Sequence, residues 1–81
     1  MHGLSIMSGL LGTVIENAAT RGIAQVELIR IAAGDLSKIS AEELRFAFTL
    51  VARGTVLENA VLEVESVPGS REVKVEFYEG V

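Results

Sequence analysis

Apolar residues recur along this chain at two different spacings, and the spacing changes at glycines. From Leu4 to Thr20 the apolar positions Leu4, Met7, Leu11, Val14 and Ala18 repeat every three or four residues, and Leu10, Ile15 and Ala19 widen the stripe. That period is one face of a helix. Arg21-Gly22 supplies a cationic last turn and a glycine cap. Gly9 and Gly12 each cost about 1 kcal/mol against alanine in a helix, so they are expected to mark close packing against a neighbour.

From Gln25 to Ala33 the chain is short, β-branched and apolar, which predicts a strand. Ile29, Ile31 and Ala33 would share one face, and Val26, Leu28, Arg30 and Ala32 the other. Apolar residues on both faces predict a central or doubly covered strand. Ser40-Ala41-Glu42-Glu43 then reads as a capping box, with Ile39 and Leu44 placed to form a hydrophobic staple. Leu44, Ala47, Phe48 and Val51 make the buried stripe of this second helix, and Arg53-Gly54 closes it. Phe46 and Leu50 fall outside the stripe and mark a second apolar side.

Two alternating segments follow. Val61 to Val67 sets Leu62 and Val64 against Glu63 and Glu65. Arg71 to Tyr78 sets Val73, Val75 and Phe77 against Glu72, Lys74 and Glu76. Pro68-Gly69-Ser70 between them is a turn signal, so the pair is predicted to form an antiparallel hairpin with its glutamates in solvent. The predicted fold class is α+β and two-layer, in αβαββ order. Both helices pack on one face of a three-stranded mixed sheet.

Composition narrows the chemistry. The 81 residues make one domain, and a chain this short buries only about two-thirds of its unfolded surface. It holds no cysteine, which excludes disulfides, thiol catalysis and Cys-ligated zinc or iron–sulfur sites. A single histidine, His2, excludes a multi-histidine cage within one chain and any Ser–His–Asp triad. Neither a P-loop nor a GxGxxG motif is present. Seven basic residues stand singly against eleven acidic ones, for a net charge of −4. No basic patch with interleaved aromatics exists, so no nucleic-acid partner is expected. The apolar stretch Leu4 to Val14 is too short and too interrupted to span a bilayer and has no charged leader, so a cytoplasmic protein with no membrane contact is expected. Apolar content of 49% and a mean hydropathy of +0.44 are high for so small a chain. Together with an exposed sheet edge they point to a homo-oligomer, with Met7, Phe46 and Leu50 as candidate contacts.

The distinctive chemistry lies in Met1-His2-Gly3. Methionine is normally retained before a bulky residue such as histidine. The terminal amine, the His2 peptide nitrogen and the His2 imidazole can then close fused rings on one metal ion. Such a donor set favours square-planar Ni²⁺ or Cu²⁺. The amine, with a reference pKa of about 7.7–8.0, must lose its proton, so binding is expected to strengthen as pH rises. Gly3 places no steric bar on its own nitrogen becoming a fourth ligand.

Several segments in register resemble the HypA/HybF family of hydrogenase nickel-insertion accessory proteins. They are Met1-His2-x-Leu4-Ser5, Gly34-Asp35-Leu36-Ser37, Glu43-Leu44-Arg45-Phe46-Ala47-Phe48, Gly54-Thr55, Ala60 to Glu65 with Val67-Pro68, and Arg71-Glu72-Val73. The resemblance implies a nickel site at Met1 and His2. It also implies a metallochaperone rather than an enzyme, with a maturation GTPase and the [NiFe]-hydrogenase large subunit as partners; some relatives also serve urease. Three departures stand out. The family has Glu where this chain has Gly3, and some relatives have a metal-proximal Asp at the position of Ser40. The family also inserts a two-CxxC zinc ribbon between the last two strands, where Val67 to Arg71 here joins them directly. The expectation is therefore a single nickel-binding-type domain over residues 1–81, without zinc. The alternative is a metal-free relative acting as an interaction or scaffolding module.

Overall fold

The computed structural model describes residues 2–81. Helix α1 (His2–Thr20) is followed by strand β1 (Val26–Gly34), a single 3₁₀ turn at Asp35–Ser37, helix α2 (Ala41–Val51), and strands β2 (Val61–Val67) and β3 (Val73–Gly80). This is the expected αβαββ order. Helix α1 begins two residues earlier than its apolar stripe suggests, and β1 is shifted by one residue.

Each helix forms where its pattern and caps agree. Gly3, Met7, Leu11, Val14 and Ala18 are the buried residues of α1. Its C-terminus is a Schellman motif: the amide of Ile23 donates to the Ala18 carbonyl and that of Gly22 to Ala19, with Gly22 at φ +69°. Gly9 and Gly12 do not mark close packing, since a Cβ at either would meet nothing within 4 Å. In α2, the Ser40 hydroxyl accepts from the Glu43 amide at 3.0 Å, which is half of the expected capping box. The reciprocal half is absent because the Glu43 side chain is engaged elsewhere, as described below. Ile39 and Leu44 are both buried in the core, as a staple requires.

The predicted hairpin does not form. The sheet order is β2-β1-β3, with β1 parallel to β2 and antiparallel to β3. Strand β1 is thus the central strand, as its two apolar faces predicted, and it separates the two strands expected to pair. The segment β1-α2-β2 is a crossover unit, the kind of connection a parallel pair requires. The turn at Pro68-Gly69 therefore carries the chain past the end of β1 rather than folding it back on itself. Gly34, the last residue of β1, makes that passage possible: its amide donates to the Glu72 carbonyl at 2.8 Å, and the Leu36 amide donates to Ser70 at 2.9 Å. A Cβ on Gly34 would lie 2.0 Å from the Ser70 carbonyl oxygen.

The helices cover one face of the sheet. Met7 and Leu11 of α1, Ile29 and Ile31 of β1, and Leu44 of α2 are wholly buried together. Leu57, from the loop after α2, completes this core. Met7 is therefore a core residue and not an oligomer contact. Phe46 and Leu50 are exposed, at 57% and 40%. On the opposite face of the sheet Arg30 pairs with Glu63 at 3.0 Å and lies 5.4 Å from the Phe77 ring centre. The pairing with Glu63 holds the Arg30 guanidinium above its usual value. Beside it the Glu76 carboxyl is raised, chiefly by a hydrogen bond with Glu65 and further by partial desolvation and the charge of Glu65.

Candidate metal centre

The first residues of a helix carry amide hydrogens that have no acceptor within the helix. In α1 these belong to the segment singled out for its donor atoms. Met1 lies outside the described residues. His2 opens the helix with its side chain exposed, and Gly3 is buried beside it. The Gly3 amide donates to Oε2 of Glu43, on the first turn of α2, at 3.1 Å. The packing of the two helices thus sets a carboxylate from α2 against the start of α1.

This contact has a structural cause. Helix α1 has no acidic residue in its own first turn. The partial positive charge at a helix start favours an anion by about 0.3–1 kcal/mol. Glu43 provides that anion from a neighbouring helix, and Gly3 leaves room for it. A Cβ at position 3 would stand 2.8 Å from Oε2 and 2.9 Å from Cγ of Glu43. Any larger residue there would push the carboxylate aside.

Side chains alone do not make a metal site here: among the described residues no three His, Cys, Asp or Glu cluster together. A metal at this end of the molecule would draw on backbone nitrogens and the His2 imidazole, which is the donor chemistry of square-planar Ni²⁺ and Cu²⁺. The exposed imidazole and the backbone nitrogens of the helix start, with the Gly3 amide turned to Glu43, are the donors such an ion would use. Ser40 serves as the cap of α2 through its hydroxyl. Of the three residues expected from sequence, the structure places His2 and Gly3 side by side. It adds Glu43, which sequence reasoning assigned only to the capping box. The available signal was the absence of any acid at the start of α1.

The larger depressions lie elsewhere. A groove of ≈ 480 Å³ between α1 and β3 is lined by Leu10, Thr13, Asn17, Arg21, Phe77 and Tyr78. With a rise of 1.5 Å per residue, Leu10 stands roughly 12 Å along α1 from His2, so this groove does not reach the helix start. No helix among the described residues is long and apolar enough to cross a membrane.

Comparison with known proteins places the fold in context. A family model described as "Hydrogenase/urease nickel incorporation, metallochaperone, hypA" matches residues 1–74. The hydrogenase maturation factor HypA of Beijerinckia indica is 39% identical over 70 residues, covering 86% of this chain and 62% of that one. The factor of the same name from Geotalea daltonii is 43% identical over 70 residues, covering 86% and 61%. That of Lawsonia intracellularis is 34% identical over 68 residues, covering 84% and 58%. The chain thus spans roughly three-fifths of the length of these relatives. The solution structure of the Ni metallochaperone HypA from Helicobacter pylori superposes with a TM-score of 0.72 over 79% of this chain and 56% of that one. Its sequence identity is 20%, so this likeness concerns the fold.

Proposed function

The chain belongs to the HypA family of hydrogenase and urease nickel-incorporation proteins, and from that premise we propose that it carries nickel as cargo at the start of α1. Met1 and His2 hold the ion through the terminal amine, the His2 peptide nitrogen and the His2 imidazole, with Gly3 adjoining. The protein acts as a metallochaperone and not as an enzyme. It hands nickel towards a [NiFe]-hydrogenase large subunit alongside a maturation GTPase.

The observation that carries this reading is the position of the sole histidine. It opens a helix, its imidazole is exposed, and the neighbouring amides have no partners within the helix. The cysteine-free composition and the direct connection across residues 68–72 support a single nickel-binding-type domain without zinc, with no module inserted between residues 67 and 71. Calorimetric titration with Ni²⁺ tests the reading. Wild type is expected to bind one equivalent and His2→Ala to lose that binding; equal affinity in the two proteins overturns it.

One observation favours a second reading. Ser40 is committed to the cap of α2 and the Gly3 amide to Glu43, while Phe46 and Leu50 stand exposed on α2. A metal-free relative serving as an interaction module, or as a homo-oligomer through that apolar surface, would look the same. It predicts Ni²⁺ affinity no greater than that of the free peptide Met-His-Gly-Leu, and a mass above monomer by light scattering.

A further inference from the structure

We propose that the groove between α2 and the edge strand β2 docks an acidic segment of a partner protein, held in extended form with two of its carboxylates against Arg45 and Arg53. This groove lies on the β2 side of α2, away from the contact with the start of α1, and the proposal does not depend on the nickel reading above.

Charge is the first observation. The chain carries eleven acidic residues against seven basic ones, and Arg30 and Lys74 each pair with a glutamate. Arg45 and Arg53 share one groove, and among the described residues neither has a carboxylate within ion-pair distance. Arg45 donates through Nη1 to the Leu62 carbonyl at 3.1 Å. A guanidinium has five N–H donors, so most of its fork stays open. Glu58, the one acid lining the groove, is turned back onto its own loop: its Oε2 accepts from the Gly54 amide at 3.0 Å. A net-acidic protein thus shows two neighbouring arginines with no anion between them. Its overall charge of −4 repels a long polyanion, so the complement is a short segment with few carboxylates.

Shape and spacing fix the form of that segment. The groove holds ≈ 380 Å³, with Phe48, Ala52 and Leu62 as apolar lining beneath the two exposed arginines. Arg45 lies within α2, and Arg53 follows the cap residue Ala52. At a helical rise of 1.5 Å per residue they stand roughly 10–12 Å apart along the groove. In an extended segment, residues four apart are separated by roughly 13 Å, and the residue midway shares their face. A pattern of acid, any, apolar, any, acid therefore sets a carboxylate at each arginine and an apolar side chain over Phe48 and Leu62. The Arg45 hydrogen bond already occupies a carbonyl of edge strand β2, so the segment docks by its side chains and does not extend the sheet.

The test is an NMR titration of the full ¹⁵N-labelled chain with the blocked peptide acetyl-Glu-Thr-Leu-Thr-Glu-amide. The amide signals of Phe48, Arg53 and Leu62 and the Nε–H signal of Arg45 are expected to shift together and to saturate. The same peptide with lysine for both glutamates is expected to leave them unmoved, and added salt is expected to weaken binding of the acidic peptide. Arg45→Gln and Arg53→Gln are each expected to weaken it by about fivefold, the upper range for one partly exposed ion pair. Arg53→Gln carries the test if loss of the Leu62 contact unfolds Arg45→Gln. The wild-type titration needs no variant at all. Absence of saturable shifts with the acidic peptide, equal binding of the lysine peptide, or unchanged affinity in Arg53→Gln overturns the proposal. Inorganic phosphate moving these signals where the peptide does not overturns it too, since the groove would then hold a free anion and not a protein segment. None of these outcomes bears on Ni²⁺ binding, so the two readings fail separately.

Discussion

Replacing Gly34 by alanine sets two physical expectations against each other. The backbone there has φ −65° and ψ 140°, a conformation open to any residue. On chain entropy alone, Gly34→Ala would stabilise the protein by about 0.4–1 kcal/mol. The surroundings demand the opposite. The new Cβ would lie 2.0 Å from the Ser70 carbonyl oxygen and 2.4 Å from its carbon. These are backbone atoms, so the clash is relieved only by moving the connection between β2 and β3. That connection is tied to the end of β1 by the Gly34-to-Glu72 and Leu36-to-Ser70 hydrogen bonds, at 2.8 and 2.9 Å. Each such bond contributes about 0.5–1.5 kcal/mol net. Forcing extra volume into a packed site costs about 1–3 kcal/mol. Less the entropic gain, the expected loss is about 1–5.6 kcal/mol. At about 0.05–0.15 kcal/mol per residue, a domain of this length holds only about 4–12 kcal/mol in all. Urea unfolding followed by circular dichroism at 25 °C reads this directly as a lower midpoint. Gly9→Ala is the control, because it adds a Cβ with nothing within 4 Å inside α1 and is expected to gain about 1 kcal/mol. A midpoint for Gly34→Ala equal to or above wild type would refute the crossing of the chain at Gly34.

Two further outcomes follow from single contacts. Ser40→Ala removes the hydroxyl that accepts from the Glu43 amide, and is expected to lower stability by about 1 kcal/mol, measured by the same urea titration. Glu76→Gln addresses the carboxylate pair on the open face of the sheet. The Glu76 carboxyl is raised above 4.5 because Glu65 shares a hydrogen with it. A raised acid is favoured in its protonated form by folding, so its stabilisation is present below 4.5 and is lost as pH rises through the folded value. Glu76→Gln is therefore expected to raise Tm relative to wild type at pH 7, with the difference shrinking towards pH 4. A difference that grows on acidification would contradict the pairing with Glu65.

Local features of the chain were legible wherever a single element decided them. The stripe from Met7 to Ala18, the Gly22 cap, the Ser40 cap and the two-faced apolar character of Val26 to Ala33 all reappear in the structure. The pairing of β2 with β3 was misread because Pro68-Gly69 is a local signal, whereas strand partners are chosen by what covers β1. Ile29 and Ile31 are wholly buried, and a hairpin pairing only β2 with β3 would leave one edge of β1 open. Glycines were ambiguous for a related reason. Gly9 and Gly12 face open space, while Gly3 and Gly34 are pressed by residues forty and thirty-six positions away. Nothing in the local sequence distinguishes the two kinds. Glu43 shows the same limit at the candidate site: its spacing from Ser40 predicted a cap, and only the packing of α1 on α2 turns its carboxylate to Gly3.

The central claim is that a nickel ion is held where α1 begins. Heteronuclear NMR of the ¹³C,¹⁵N-labelled chain, titrated with Ni²⁺ to one equivalent, tests it most directly. The account predicts saturation at one equivalent, with the shifts concentrated at His2, Gly3 and Leu4. Shifts centred instead on the Glu65 and Glu76 pair, or a spectrum that Ni²⁺ leaves unchanged, would contradict it.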